Sequence, residues 1–329
     1  MSAPVVDPEL LARAVELLRD GGLVAFPTET VYGLGADATN AKAIERLFAV
    51  KGRPVDHPVI VHGADQRVLD AWGREVPDVA RGLAREFWPG PLTIVVRRAL
   101  HVIDEVTGGL DTVGLRVPDQ SIALALLHEF GGGVAAPSAN RFGRVSPTTA
   151  ADVRCDLEGD VDLVLDGGPC AVGVESTIVD CSTDQVVLLR PGGVPVERIR
   201  AIAGREVRER RAGDPRAPGG LASHYAPRAR VELVGRGELA TRARALDDAG
   251  DVVGVLALGA VRELPAGARV LGTPVDVAQY ARDLYACLRA ADAQALDVVL
   301  AVPPPEEGVG IAVVDRLRRA AGGVVESEP

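Results

Sequence analysis

The sequence lacks any apolar run that approaches the roughly 20 residues of a membrane-spanning helix. Its start, Met1 to Pro4, also lacks the basic and apolar regions of a secretory signal. With 47% hydrophobic and 25% charged residues, the 329-residue chain is typical of globular proteins and is long enough for two domains. We therefore expect a cytoplasmic protein with no membrane partner.

Cysteine and aromatic residues are scarce. The four cysteines form no Cys-x-x-Cys pair and do not cluster with the five histidines, so a structural zinc site is not expected. Aromatic residues make up 3% of the chain and the formal net charge is -10, which disfavours a surface that binds nucleic acid by stacking and phosphate neutralisation. A local basic cleft is still compatible with this charge.

Lysine is nearly absent, because only Lys42 and Lys51 among the 36 basic residues are lysine and the rest are arginine. Where such a chain keeps a lysine, a compact ammonium group can be required in place of a planar guanidinium. Lys51 is therefore a candidate phosphate ligand, and Arg53 two residues later can address a second oxygen. A cation followed by a glycine also suits a helix C-terminus, and this structural explanation stays open.

The common nucleotide-binding and hydrolase motifs are missing, namely the P-loop, the nucleophile elbow and His-Glu-x-x-His. Residues 33–38 fit the loose dinucleotide pattern Gly-x-Gly-x-x-Ala, but residues 27–30 separate them from the preceding strand. We interpret them as a glycine-rich turn. Any ATP site must therefore be formed by a different binding motif.

Short apolar runs that alternate with amphipathic segments predict an α/β fold. Several predicted strands lie too close for crossover helices, so the first sheet should contain antiparallel members. We predict a first domain over residues 1–205, a linker or lid over 206–228, and a smaller doubly wound, Rossmann-like domain over 229–329.

Polar residues interrupt or follow several apolar strands. Ser138 and Asn140 come after the strand Val134–Ala136, at an edge where open α/β sheets bind ligands. Arg116 lies on an apolar strand and needs a partner or a cleft, which suits a carboxylate. Ser146 is interpreted first as a helix N-cap, although a helix N-terminus also binds anions. Taken singly, each of these groups also has a structural explanation as a turn or cap.

Five motifs occur in one order along the chain: Pro27-Thr28-Glu29-Thr30-Val31-Tyr32-Gly33-Leu34, Lys51-Gly52-Arg53-Pro54, Pro137-Ser138-Ala139-Asn140, Glu175-Ser176-Thr177 and Leu189-Arg190-Pro191-Gly192. Together they resemble the threonylcarbamoyl-adenylate synthase family, also called YrdC-like. The likeness continues through His224-Tyr225-Ala226-Pro227 and Asp315-Arg316-Leu317. It implies the long form of the family, with a YrdC-like twisted mixed sheet, a basic cleft and a Rossmann-like C-terminal domain.

The resemblance also implies an activity for the first domain. Threonine would be carboxylated by bicarbonate, and the carbamate would attack the α-phosphate of ATP to give pyrophosphate and threonylcarbamoyl-AMP for tRNA modification. On matching positions, threonine would contact Thr30, His62, Arg116, Ala136 and Ser176. ATP would contact Lys51, Arg53, His57, Thr112, Ser138, Asn140, Ser146, Arg190 and Tyr225. His57 stands where the family pattern has asparagine, but imidazole can still donate one hydrogen bond.

The implied reaction needs charge stabilisation more than acid–base catalysis, because attacker and target are both anionic. Lys51 and Arg53 are the expected catalytic cations, and Mg²⁺ would arrive with ATP, without protein ligands that the sequence identifies. Tyr225 would close over the nucleotide as part of a lid, or alternatively anchor the linker to the second domain. The product would pass to a separate tRNA threonylcarbamoyl transferase, with direct tRNA contact optional.

Two other functions stay open. An RNA-binding protein would use the same cleft without catalysis, and RNA binding in the absence of ATP would favour it. A carbamoyl transferase with another acceptor would turn over without threonine. The arginine-rich residues 198–216 would either contact tRNA or a partner, or form a solvated linker.

Overall fold

The computed structural model of the chain describes residues 7–211, 213–214 and 225–322. These residues form two compact units. The first unit comprises the described residues of Met1–Phe142, Ser146–Ala171 and Glu175–Gly220, and the second those of Gly143–Val145, Val172–Val174 and Leu221–Pro329. Within the predicted linker, residues 212 and 215–224 lie outside the described residues, and this range includes His224 of the family motif.

The first unit contains ten strands: β1 (Val24–Phe26), β2 (Gly33–Asp37), β3 (Ile60–His62), β4 (Leu92–Arg97), β5 (Thr112–Arg116), β6 (Val134–Ala135), β7 (Leu163–Val164), β8 (Thr177–Asp180), β9 (Val186–Arg190) and β10 (Val207–Glu209). Its α-helices are α1 (Pro8–Arg19), α2 (Ala41–Lys51), α3 (Val68–Trp72), α4 (Asp78–Phe87), α5 (Asp104–Thr107), α6 (Ser121–Phe130), α7 (Ala150–Leu157) and α8 (Val196–Ala203). A 3₁₀ turn over Glu158–Asp160 follows α7.

The strands of the first unit form one mixed sheet in the order β10-β9-β8-β4-β5-β3-β6-β2-β1-β7. Strand β3 is parallel to β5, whereas β4 is antiparallel to β5 and β6 is antiparallel to β3. Strand β8 is parallel to β4 and antiparallel to β9. The predicted mixed sheet is therefore confirmed.

The strand register assigns side chains to the two faces of this sheet. On one face, Trp72 of α3 and Val61 of β3 both border Gly133, where an added Cβ atom would lie 2.3 Å from the Trp72 ring and 2.7 Å from Val61. On the other face, α1 and α6 pack against Phe26 and Val134. The rest of that second face carries a separate apolar cluster, whose members are Ile60, Val95, Ile178, Val187 and Leu189.

Local sequence signals fix several helix ends. Asp7 caps α1 by accepting from the N–H of Glu9, and a proline occupies the first turn. Asn40 caps α2, and Gly52 ends it in the left-handed conformation at φ 62°. Lys51 is therefore the last residue of α2, and the following chain turns away from the helix axis there.

The prediction of a glycine-rich turn at residues 33–38 is wrong, because residues 33–37 form strand β2. This strand pairs with β1 and β6. A Cβ atom at Gly35 would lie 2.9 Å from both Phe26 and Val134, so glycine permits a close approach that a larger residue would block. Its glycines therefore serve packing between strands.

Strand β10 lies at Val207–Glu209, inside the segment that the sequence analysis interprets as a linker. It pairs in parallel with β9 at the edge of the sheet. The hydrophobicity pattern did not predict this strand, because an edge strand exposes more of its side chains to water and can therefore carry charged residues.

The second unit contains strands β11 (Arg230–Leu233), β12 (Val253–Leu256), β13 (Arg269–Gly272) and β14 (Val298–Ala301), with helices α9 (Leu239–Asp248), α10 (Val277–Ala293) and α11 (Gly310–Ala320). All its strand pairs are parallel, in the order β11-β14-β12-β13. This confirms the predicted small parallel α/β domain. Among the described helices of the whole chain, none combines the length and hydrophobicity that crossing a bilayer requires.

Candidate active site

The central strands of the first unit place several predicted site residues on one face of the sheet. His62 of β3 pairs with Arg116 of β5, and Ile60 pairs with Gly114. Because side chains alternate along a strand, Thr112, Gly114 and Arg116 share the face of Ile60 and His62. This is the face whose apolar cluster includes Ile60, Val95 and Ile178. The polar residues of β3 and β5 therefore lie beside this apolar cluster, on the same face of the sheet.

Lys51 reaches from the end of α2 into the loop after β6. Its Nζ atom donates to the carbonyl oxygens of Ser138 and Asn140, both at 2.5 Å, and the residue is 2% exposed. Burial lowers the pKa of Lys51 well below its usual value, and nearby Arg53 lowers it further. The loop carbonyls thus hold the ammonium group in one place.

Arg53 is held two residues beyond the helix. Its Nη2 donates to the carbonyl of Pro58 at 2.8 Å, and its guanidinium carbon lies 5.9 Å from the centre of the Phe142 ring. His57 contacts the same ring edge-on, with ring centres 5.6 Å apart. The structure therefore brings the predicted ATP ligands Lys51, Arg53 and His57 into one neighbourhood, with Phe142 as a shared support.

The hydroxyl-rich turn before β2 is closed by its own side chains. The hydroxyl of Thr28 donates to the carbonyl of Val31 at 2.6 Å and accepts from the N–H groups of Thr30 and Val31. The hydroxyls of Thr28 and Thr30 lie 2.8 Å apart. Threonine at position 28 therefore fixes the turn, and the turn fixes Thr30.

Arg116 projects into this turn from β5. Its Nη2 donates to the hydroxyl of Thr30 at 2.9 Å and lies 2.7 Å from a carboxylate oxygen of Glu29. Its Nε donates to the carbonyl of Gly90 at 3.3 Å. Arg116 and Glu29 are 4% and 7% exposed, so this is a buried ion pair.

His62 lies beside Arg116 and is 3% exposed. Its Nδ1 atom has no hydrogen-bond partner among the described residues, and its ring meets the Phe26 ring edge-on. Burial lowers the pKa of His62 to about 3, with the positive charge of Arg116 as the next cause. The imidazole is therefore neutral at physiological pH.

A His62→Gln variant should lose less stability in acid than the wild type. Between pH 6.5 and pH 3 the unfolded chain binds a proton at His62 that the folded chain does not bind, so the free energy of unfolding falls as the pH falls. From pH 6.5 to pH 5 this contribution is about 1.5 kcal/mol. Urea unfolding at both pH values measures it, with His128→Gln at an exposed histidine as control. Equal losses in the wild type and His62→Gln would contradict the assignment.

Ser176 and Arg190 form a second polar cluster at the start of β8 and the end of β9. Arg190 donates from Nη2 to the carbonyl of Ser176 at 2.8 Å and to its hydroxyl at 3.2 Å. The hydroxyls of Ser176 and Thr93 lie 2.8 Å apart. Since Arg190 is 5% exposed, this cluster adds a further buried cation to the unit.

Ser146 is fully buried, and its hydroxyl donates to a carboxylate oxygen of Glu175 at 2.7 Å. Its interpretation as a helix N-cap is wrong, because α7 begins at Ala150. Thr149 caps that helix instead, accepting from the N–H of Asp152 while the Asp152 carboxylate accepts from the N–H of Thr149. The role of Ser146 as an ATP ligand stays a prediction.

The remaining predicted residues of the first unit frame the same region. Ser138 pairs with Gly33 in an isolated β-bridge, and Asn140 is 1% exposed. Ala136 donates its N–H to the carbonyl of Ile60 at 2.9 Å. Thr112 begins β5 and is half-buried.

Tyr225, the last predicted ATP ligand, belongs to the second unit. Its ring stacks on Tyr285 with centres 5.8 Å apart, and the guanidinium carbon of Arg316 lies 5.0 Å from its centre. Tyr225 is 2% exposed and has a φ of 63°, which is unusual for a non-glycine residue. These contacts agree with the alternative in which the tyrosine anchors the linker to the second domain.

Glu29 and Glu175 are buried carboxylates that the sequence reasoning did not assign to the site. Their motif positions, beside Thr30 and Ser176, were the available signal. A single sequence does not distinguish a buried from an exposed glutamate, since Glu is usually at the surface.

The described residues contain no group of three or more His, Cys, Asp or Glu side chains arranged to hold a metal ion. All four cysteines are free thiols, and burial raises the pKa of Cys170 beside the site to about 12. Protein ligands for a metal are therefore not apparent in the described part of the chain.

A pocket of about 380 Å³ opens where β3 and β5 lead into their next loops. Its lining residues are Ala64, Asp65, Gln66, Arg67, Trp88, Pro89 and Val117. The predicted site residues are not among them, although Arg116 immediately precedes Val117. This pocket therefore adjoins the buried polar cluster without containing it.

Comparisons with known proteins give consistent results for both units. Residues 16–192 match the family model described as "Telomere recombination" (Sua5, YciO and YrdC), and residues 194–322 match "Threonylcarbamoyl-AMP synthase, C-terminal domain". The threonylcarbamoyl-AMP synthases of Pyrococcus abyssi and Bacillus subtilis are each 41% identical to the chain. The alignments cover 94% of this chain and 93% of the Pyrococcus protein, and 97% of this chain and 94% of the Bacillus protein.

A solved structure agrees with these matches. The crystal structure of Pyrococcus abyssi Sua5 complexed with L-threonine superposes with a TM-score of 0.90 at 40% identity, covering 97% of this chain and 96% of that one. Both units of the chain therefore have a counterpart in one solved chain.

Proposed function

Since the chain belongs to the threonylcarbamoyl-AMP synthase family, we propose that its first unit joins L-threonine, bicarbonate and ATP into threonylcarbamoyl-AMP and pyrophosphate. The enzyme is a nucleotidyltransferase whose product serves tRNA modification. The observation that carries the assignment of the site is a set of four buried cations in the first unit, Lys51, Arg53, Arg116 and Arg190.

The buried cations favour an anionic substrate. Placing positive charges close together and out of water costs free energy. The pKa of Lys51 is lowered for this reason, by burial and by the charge of Arg53. A polyphosphate would offset it with charge-assisted hydrogen bonds. Within the first unit we assign ATP to Lys51, Arg53, His57, Thr112, Ser138, Asn140, Ser146 and Arg190.

Threonine is assigned to the neighbouring cluster on β3 and β5. Arg116 offers a fork of donors to the amino acid's carboxylate, and Thr30 and neutral His62 offer hydrogen bonds to its other polar groups. Ala136 and Ser176 complete the proposed set. A relative of 40% identity was solved with L-threonine, which supports this substrate.

Charge stabilisation is the proposed catalytic device. Negative charge builds up between the α-phosphate and the leaving pyrophosphate when the carbamate attacks, and fixed cations stabilise it without reorganising. Lys51, which two carbonyl groups hold in place, and Arg53, which Pro58 and Phe142 support, are the proposed catalytic residues.

Magnesium would enter with ATP, because the phosphate oxygens supply most ligands that this hard cation needs. No three His, Cys, Asp or Glu side chains of the described residues are arranged to hold a metal ion, so the proposal names no protein ligand for magnesium. When bound, magnesium would offset part of the phosphate charge. We further propose a cytoplasmic location and transfer of the product to a separate tRNA threonylcarbamoyl transferase.

The test is pyrophosphate release by the purified full-length protein with magnesium, ATP, bicarbonate and labelled threonine. We expect pyrophosphate and labelled threonylcarbamoyl-AMP in equal amounts, with neither formed when threonine or bicarbonate is omitted. Turnover without threonine would indicate a carbamoyl transferase with another acceptor. A folded protein that releases no pyrophosphate but binds RNA without ATP would indicate the RNA-binding alternative.

A further inference from the structure

Glu29 is a buried charged group that the proposed reaction has not yet used. It is 7% exposed and lies in the turn that the Thr28 hydroxyl closes. On one side it faces Arg116, whose Nη2 lies 2.7 Å from its Oε1. The same Nη2 donates to the hydroxyl of Thr30, so the Glu29 carboxylate and the Thr30 hydroxyl both contact one nitrogen of Arg116.

The carboxylate of Glu29 is paired in charge but not in hydrogen bonds. Among the described residues, neither Oε1 nor Oε2 accepts a hydrogen bond. The short contact with Arg116 is therefore an ion pair whose N–H does not point at the oxygen. Buried carboxylates normally accept several hydrogen bonds, so both oxygens are open to donors from a bound ligand.

A ligand with donors and a negative charge side by side would satisfy both groups. An α-amino acid has this form, because its ammonium and carboxylate are attached to one carbon. Its carboxylate would face Arg116, and its ammonium would present three N–H donors to Glu29. By contrast, Glu175 already accepts a hydrogen bond from Ser146 at 2.7 Å.

We propose that Glu29 binds the α-ammonium group of threonine and takes up the proton that this group must lose to form the carbamate. The inference rests on the proposed function, which supplies threonine and bicarbonate. It assigns a catalytic residue that would act before ATP is attacked.

The proposed step balances in atoms and charge. Threonine ammonium, bicarbonate and the Glu29 carboxylate give N-carboxy-threonine, water and the Glu29 carboxylic acid. One N–C bond forms, one C–O bond of bicarbonate breaks, and the nitrogen loses two protons. One proton leaves with the released oxygen as water, and Glu29 holds the other until it passes to solvent. The carbamate oxygen is then free to attack the α-phosphate.

The test compares ligands that lack one group each, by calorimetry without ATP on the full chain. The ligands are L-threonine, (R)-3-hydroxybutanoate, which lacks the amine, and L-threoninol, which lacks the carboxylate. In the wild type, removing the amine should weaken binding by at least about 30-fold. In Glu29→Gln the same removal should change binding by less than about threefold, because the ammonium has no charged partner there.

The binding of L-threoninol distinguishes this role from a structural one in which Glu29 only holds Arg116 in place. If Glu29→Gln leaves Arg116 in place, removing the carboxylate should weaken binding as much in the variant as in the wild type. At saturating threonine, kcat of Glu29→Gln should fall about 100-fold, as expected for a lost proton acceptor. Glu86→Gln makes the same change at an exposed ion pair with Arg198, and it should match the wild type in every measurement.

Distinct results would overturn the two proposals. If wild-type protein binds threonine and Glu29→Gln shows the same penalty for removing the amine, the role of Glu29 is wrong while the proposed function stands. If the wild type does not bind threonine, both are wrong. Should Glu29→Gln not fold, Glu29→Asp retains the charge but withdraws it by one methylene. This variant should weaken the binding of threonine at least about tenfold more than the binding of hydroxybutanoate. Equal weakening of the two ligands would overturn the role.

Discussion

Replacing Lys51 by alanine should lower kcat/KM for threonylcarbamoyl-AMP formation by about 10³-fold. Removing one preorganised donor to a developing anion costs about 10² to 10³ in rate, and a cation that faces a transferring phosphoryl group reaches higher values. The loop after β6 would also lose the ammonium that joins the carbonyls of Ser138 and Asn140. Pyrophosphate release at varied ATP concentrations measures the loss.

The chain supplies a matched control for this experiment, because its only other lysine, Lys42, is exposed on the same helix. Lys42→Ala should keep wild-type kcat/KM. Lys51→Met keeps most of the stem without the charge, so it separates the electrostatic effect from loss of packing. A Lys51→Met enzyme that is folded, as judged by circular dichroism, and within tenfold of wild-type kcat/KM would contradict the catalytic role.

The scarcity of lysine singled out Lys51 as a candidate, but it did not reveal the geometry around this residue. Composition and spacing indicated a required ammonium near Arg53. They did not indicate that its donors point at two backbone carbonyls, since those contacts depend on how α2 packs beside the loop after β6. The contacts belong to tertiary structure, which a local pattern does not encode.

The fold was predictable where strands are strongly apolar. Runs such as Leu92–Arg97 and Val186–Arg190 coincide with β4 and β9, and the alternation in the second half predicted its parallel sheet. The sequence reasoning missed β2 because its glycines favour turns in isolation. In the sheet they allow Phe26 and Val134 to pack within van der Waals contact of the backbone.

The polar groups of the site were partly predictable for a similar reason. Arg116 stood out because a cation on an apolar strand requires a partner. Its partner, Glu29, did not stand out, because a glutamate in a turn is ordinarily solvated. Only the pairing of His62 with Arg116, together with the closed turn at Thr28, brings the two charges together.

Replacing Arg116 by methionine should lower the free energy of unfolding by about 3 to 5 kcal/mol and abolish measurable threonine binding. Methionine fills most of the volume, so the loss comes mainly from the Glu29 charge, which would stay buried without its counter-ion. Urea unfolding gives the stability, and calorimetry gives threonine binding. Arg198→Ala, which breaks an exposed pair with Glu86, should cost less than about 1 kcal/mol.

The double variant Arg116→Met with Glu29→Gln decides whether the uncompensated charge is the cause. Because the amide carries no charge, the double variant should be more stable than Arg116→Met alone by about 1 to 2 kcal/mol, even though it has one more substitution. Threonine should still not bind, since both proposed partners of the zwitterion are gone. A double variant less stable than the single would mean that Arg116 stabilises the fold through Thr30 and Gly90, and that its pairing with Glu29 contributes little.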